Sequence, residues 1–399
     1  MNATTLLPAV ANGSAPRIAI ASPGVGLVQR GFERMFADLF EVVGNAAEVT
    51  LVKGGGACGP REIVPTFLPR NGRILRTLPL HWLIGRTRFH VECLSFALAL
   101  LPSLRRGRFD LVHTIDPPLT RVLSRLRRRF GLRFHLLHTE ATNMPPGDYP
   151  PADHIHEIGA MKYEAALRQG IPRSHLSLIP AGISPARFAT SASREELRAQ
   201  HGIGKSTFVV LCVAALNRWH KRVDHLVEEF DRLEGDCLLW LDGSMDHGEP
   251  DLPGWVRSRL GERCRISRVP SHRVGELYRL ADVKVLASEH EAFGLVLPEA
   301  MACGLPVLAH RSSHFRWLIG SDANLVDMTA RGELAARLQR LQANPAERAL
   351  LCRTAETLAR YDWANLKRDY LELYERVLSG PIRNDLCVTA TPWRHPRSP

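Results

Sequence analysis

One stretch limits the folds open to this chain more than any other. Residues 283–287 form a short apolar run, and the polar loop Ser288-Glu289-His290-Glu291 follows it. Next come Gly294, an apolar helical pattern holding Glu299, and a second apolar run at 306–309. Strand, glycine loop, helix, strand is the repeat of a parallel α/β sheet, and it excludes all-helical and purely antiparallel architectures. The spacing predicts that the amides of Phe293, Gly294 and Leu295 open the helix without intrahelical partners, at the positive end of its dipole. Glu291 is expected at that mouth and Glu299 about two turns further in. A carboxylate at each end of an anion-binding helix suits a ligand with hydroxyls on both sides of a diphosphate.

The same alternation runs along most of the chain. Residues 17–21 read as a first strand, followed by the loop Ser22-Pro23-Gly24-Val25-Gly26 and a helix with Phe32, Met35, Phe36, Leu39, Phe40 and Val43 on one face. Those glycines do not complete G-x-G-x-x-G, which argues against a dinucleotide site. Further strands are predicted at 49–52, 110–113, 133–138, 153–157 and 176–180, then at 208–213, 237–241, 264–269, 306–309 and 324–326. His113 and His138 fall at carboxyl ends of predicted strands, the edge where open α/β sheets bind ligands. Gly204-Lys205-Ser206-Thr207 imitates a Walker A loop, but position 199 is Ala and the segment precedes a strand.

The boundaries expected are a disordered lead at 1–16, a first Rossmann-like domain at 17–185, and a linker at 186–206. A second domain follows at 207–358, then a C-terminal helix at 359–379 that returns to the first domain, and a disordered tail at 380–399.

Charge narrows the partners. Lys and Arg number 52 against 41 Asp and Glu, a formal charge of +11, which favours anions. No recognition motif or aromatic–basic interleaving supports nucleic acid. Residues 73–106 form a basic amphipathic segment that can lie on an anionic membrane or serve as a core helix with a solvated basic face; its apolar run at 93–101 is too short to span a bilayer. Eight Cys without C-x-x-C spacing fit reduced thiols in a cytoplasmic protein, peripheral at the inner face of the membrane at most. Only six Lys are present, at 53, 162, 205, 221, 284 and 367, so each carries more weight than one of the many Arg.

Arg218 and Lys221 follow the strand 208–213 at its carboxyl end, where fixed positive charge can stabilise a departing diphosphate. No Asp-x-Asp stands at a strand end to bind a divalent metal. Cationic side chains would then do that work.

Residues 291–309, EAFGLVLPEAMACGLPVLA, resemble the Glu-x7-Glu signature of the retaining glycosyltransferase family 4, of GT-B fold. Residues 276–288 resemble the segment preceding that signature. Pro180-Ala-Gly-Ile-Ser with Phe188 resembles the interdomain segment, and residues 363–378 the C-terminal helix that crosses back. The resemblance implies two doubly wound domains facing each other across a cleft. It also implies retaining transfer from a UDP- or GDP-sugar to a glycan, lipid-linked or small-molecule acceptor, in the manner of polysaccharide biosynthesis, with no cofactor and no obligatory metal. In that frame Glu291 contacts donor hydroxyls, aided by the Phe293 and Gly294 amides, and Glu299 holds the ribose. Lys221 with Arg218 holds the diphosphate, His138 stands near the transferred sugar, and Gly24 and Gly26 let the first loop approach the donor. The family's arginine before the lysine falls at Ala215 here. A nucleotide-sugar epimerase or a non-catalytic sugar-nucleotide binder on the same scaffold are the alternatives.

Overall fold

The computed structural model describes residues 15–28, 31–77, 87–246 and 248–383. The expected lead, up to residue 14, and the tail from 384 lie outside them, as do Gln29, Arg30 and residues 78–86 of the basic segment. Internal contacts divide the chain into two units, Met1–Gly182 with Trp363–Pro399, and Ile183–Asp362.

The first unit is built on seven parallel strands: β1 (Arg17–Ser22), β2 (Glu48–Lys53), β3 (Glu62–Ile63), β4 (Leu111–Thr114), β5 (His135–Glu140), β6 (His154–Glu157) and β7 (Leu176–Leu178). Their order is β3-β2-β1-β4-β5-β6-β7. β1 is hydrogen-bonded to β2 on one side and β4 on the other, so chain direction around the sheet reverses between β1 and β4. Ligands of open α/β sheets gather at that kind of switch point, beyond the carboxyl ends of the strands. β3 is new relative to the sequence pattern. Two residues between Pro60 and Pro65 are too few to show a period of two.

Helices cover both faces, and their buried residues follow the helical period. Helix Gly31–Val43 buries Met35, Phe36, Leu39, Phe40 and Val43. Helix Arg88–Arg105 buries Val91, Cys93, Phe96, Ala97, Leu100 and Leu104, so its apolar face belongs to the unit's own core. Helix Trp363–Ser379 also belongs to this unit and packs on helix Gly31–Val43, burying Trp363, Leu366, Tyr370 and Tyr374.

The second unit repeats the plan with six parallel strands: β8 (Phe208–Val213), β9 (Cys237–Asp242), β10 (Cys264–Ser267), β11 (Val283–Leu286), β12 (Val307–His310) and β13 (Leu325–Val326), in the order β10-β9-β8-β11-β12-β13. Its switch point lies between β8 and β11. Residues 186–206, expected as a linker, fold into this unit. They contain helix Arg194–Gln200, which opens with a Ser193–Glu196 capping box, and Arg194 and Arg198 both pair with Asp282. Ser206 and Thr207 of the Walker-like stretch donate to Asp236, so their hydroxyls serve a turn before β8.

Candidate functional site

The two loops that leave β8 and β11 meet at the second unit's switch point. After β8, the buried Asn217 folds the chain back, its Oδ1 accepting from the amides of His220 (3.1 Å) and Lys221 (2.8 Å). Arg222 then adopts φ 50°, the one non-glycine residue in left-handed backbone among the described residues. That conformation carries strain, and two contacts hold it: Arg222 Nη1 donates to Met328 O at 2.7 Å and pairs with Glu289 Oε1 at 2.8 Å. The result aims Lys221 at the loop after β11.

There Lys221 Nζ forms an ion pair with Glu291 Oε1, which also accepts from Ser288 Oγ at 2.6 Å. His220 Nε2 lies 3.9 Å from Glu291 Oε2 and 3.0 Å from the carbonyl of His290; facing a carbonyl, that nitrogen carries the proton. Gly294 takes φ 91°, a left-handed turn that swings the chain into helix Val296–Ala302. The helix starts later than the spacing implied, because the turn at Gly294 consumes the preceding residues. Glu299 therefore sits in its first turn, not two turns in. With seven residues the helix has little dipole to offer, and charge at this edge comes from side chains. Leu295 is the helix N-cap, and Phe293 is buried with its carbonyl accepting from His314 Nε2 at 3.0 Å. Burial holds the His314 pKa below its ordinary value, so the ring is a neutral donor there. Glu299, 8% exposed, accepts from Tyr278 Oη at 3.0 Å.

Arg218 goes elsewhere. Its guanidinium is bound by Glu249 Oε2 (2.5 Å) and Asp251 Oδ2 (2.7 Å) and lies over the Trp255 ring at 5.3 Å. The structure thus brings together Lys221, Glu291 and the segment from Phe293 to Glu299, and commits Arg218 to an acidic pair of its own. The sequence pattern assigns no role to Asn217, Ser288, Tyr278 or Lys284, although Ser288 and Lys284 stand in or beside the glycine-loop stretch itself. Only Lys284 carried a signal, a rare lysine inside an apolar strand.

The first unit's expected residues form a separate set. His138 is fully buried inside β5, which continues two residues past the expected end, with Nδ1 2.9 Å from Thr120 Oγ1 and Nε2 3.4 Å from Glu140 Oε2. His113 belongs to a core chain of hydrogen bonds. His156 Nε2 donates to Ile179 O (2.8 Å), Thr139 donates to His156 Nδ1 (2.8 Å), His113 Nε2 donates to Thr139 (2.6 Å), and Tyr374 donates to His113 Nδ1 (3.0 Å). This polarity uses neutral rings throughout, and burial pushes His113 well down and His156 down to about 4. Gly24 lies against Glu33. Gly26, at φ 83°, approaches the backbone of Gly55 so closely that a Cβ would fall 2.1 Å from its carbonyl oxygen. The close approach made by this glycine loop is therefore to the loop after β2. Among the described residues no three His, Cys, Asp or Glu are grouped to hold a metal ion.

Residues 193–357, which contain the Lys221–Glu291 site, match the family model described as glycosyl transferases group 1. The second unit is a group 1 glycosyl transferase domain. The chain is 23% identical over 343 residues to an alpha-galactosylglucosyldiacylglycerol synthase of Streptococcus pneumoniae, covering 82% of this chain and 87% of that one. It is 30% identical over 227 residues to a D-inositol 3-phosphate glycosyltransferase of Nocardiopsis dassonvillei, where it spans about half of the relative's length, 52%. Its fold is that of Anabaena HepE, solved in complex with UDP and glucose, with a TM-score of 0.70 over 90% of this chain and 99% of that one at 16% identity. Two doubly wound parallel sheets of this kind are the GT-B fold. The glycosyl transferase domain thus carries its charged residues at the edge where its sheet order reverses.

Proposed function

We propose that this chain moves a sugar from a UDP- or GDP-linked donor to a glycan, lipid-linked or small-molecule acceptor, with retention at the anomeric carbon. The observation that carries the reading is the Lys221–Glu291 ion pair at the β8/β11 switch point, with Glu299 close behind it in the next helix. Cleaving a glycosyl diphosphate builds negative charge on the leaving group and positive charge on the sugar ring. Lys221 suits the first, and removing such a stabilising group costs about 3 kcal/mol of barrier. Glu291, once its partner turns to the diphosphate, is free to accept from sugar hydroxyls, while Ser288 keeps it in place. Glu299, fixed by Tyr278, suits the ribose. Arg218 does not share the diphosphate in this reading, since its charge is taken up by Glu249 and Asp251. A lipid acceptor is favoured by the name of the diacylglycerol glycolipid synthase, and a UDP donor by the HepE complex.

The test is a panel of nucleotide sugars with candidate acceptors, read by release of free UDP or GDP and by the anomeric configuration of the product, with and without EDTA. Release of one nucleotide, retention, and indifference to EDTA are expected. An inverted product or an absolute need for metal would contradict the mechanism.

A further inference from the structure

Lys284 is the least expected residue near the site. It lies in β11, within Val283-Lys284-Val285-Leu286, a central strand flanked by β8 and β12. Its side chain is 0% exposed. No carboxylate lies within ion-pairing distance of it among the described residues; its Nζ has the carbonyl of Val213 at 3.5 Å, a weak bond at that length. An ammonium buried this way is costly, and an apolar residue would serve the strand better. Val283, Val285 and Ala287 pack into the core on one face. By strand alternation Lys284 points to the other, which is covered by helices Val274–Leu280 and Val296–Ala302, the carriers of Tyr278 and Glu299. Val213 is the last residue of β8, so the ammonium reaches the carboxyl edge beneath the loop that bears Lys221.

Four titratable groups act on Lys284: Cys212 on β8, Glu299 on the helix, Lys221 after β8 and Glu291 after β11. With Lys284 charged, two ammoniums balance two carboxylates. Without it the set carries a net negative charge and repels a diphosphate. We propose that Lys284 is a positioning residue of the donor site, a sunken cation that never touches the nucleotide but keeps the field around Lys221, Glu291 and Glu299 receptive to it. The inference rests on the donor reading above. Burial also pulls the lysine's pKa down to about 8, so its charge is lost within reach of ordinary buffers.

The experiment is calorimetric titration of UDP, or of GDP if that is what the wild-type protein binds, at pH 7 and pH 9, alongside thermal melts. Lys284→Met is expected to melt at or above the wild-type temperature, because a buried charge is gone, while binding the nucleotide about tenfold more weakly at pH 7. Wild-type affinity should fall toward that of the variant between pH 7 and 9, with the variant flat over that range. Lys284→Arg, which stays charged, should hold its pH 7 affinity at pH 9. A Lys284→Met protein that binds as tightly as wild type, or one that loses melting temperature and affinity together, overturns the inference and leaves the donor reading standing. A wild-type protein that binds neither nucleotide overturns the donor reading first, and the inference with it.

Discussion

Gly294 shows how much a single backbone angle decides. Its φ of 91° turns the loop after β11 into the helix that carries Glu299, and a Cβ there would meet nothing closer than Leu318 at 3.6 Å. Space is not the constraint; left-handed backbone is. Gly294→Ala is expected to destabilise the protein by about 1–2 kcal/mol and to reduce transfer, with Gly294→Asn milder in both. Thermal melts and initial rates on the two variants check this, and equal effects would contradict it. At this scale the sequence was legible where a residue's job depends on its own neighbourhood. Glu291 and Lys221 each stand just past a strand end, and strand ends can be read from apolar runs. Arg218 was not legible, because the acids that claim it come from the loop before helix Leu252–Leu260, some thirty residues on. The partner of Glu299 was equally hidden, since Tyr278 lies on a different helix.

Among elements, the second unit solves its end-capping problem across helices. Glu229, buried near the end of helix Val223–Phe230, accepts from the amides of Gly332 (2.8 and 2.9 Å) and Ala335 (3.1 Å), closing the N-terminus of helix Glu333–Ala343. The carboxylate satisfies orphan donors and meets the positive end of the dipole, so Glu229→Ala should cost about 2 kcal/mol, measured by denaturant unfolding. A loss under half a kilocalorie, roughly the size of a solvent-exposed effect, would refute the capping role. The helical run after Gly332 is interrupted at Asn344, at residues 351–353 and at Asp362; at the first, Asn344 caps helix Pro345–Leu350 by accepting from the Glu347 amide at 3.1 Å. The start of helix Val296–Ala302 was misplaced because a left-handed glycine inside an apolar run leaves the helical pattern intact while interrupting the helix.

Over the whole molecule, both sheets reverse order beside their first strand, which is why each has a single natural ligand edge. Alternating strand and helix patterns made that architecture readable; the two-residue β3 and the folding of 186–206 into the second unit depend on tertiary contacts that no pattern records. The buried polar interior of the first unit was also invisible, and it sets the response to pH. Burial raises the Glu157 pKa to about 8 at the end of β6, while it lowers His156 to about 4 and His154 to about 3. The signs oppose. As pH falls below about 6.5, the unfolded chain takes up protons that the buried histidines refuse, and stability is lost. Glu157 refuses to ionise in the folded state, so its penalty is small near pH 4.5, grows as pH rises, and is complete above about 8. Glu157→Gln is therefore expected to exceed wild type by roughly 2–4 kcal/mol at pH 8.5, with the gap closing toward pH 4.5. Unfolding curves across that range check it, and a pH-independent gap would be inconsistent with a buried carboxyl.

The central claim is that Lys221 and Glu291, paired at the β8/β11 edge, form the donor site of a sugar transferase. Release of free nucleotide from the sugar donor that wild type accepts, measured side by side with Glu291→Ala, tests it most directly. The account predicts that Glu291→Ala loses transfer by about a hundredfold or more while melting cooperatively as a folded protein. A folded Glu291→Ala protein that releases nucleotide at the wild-type rate would contradict it.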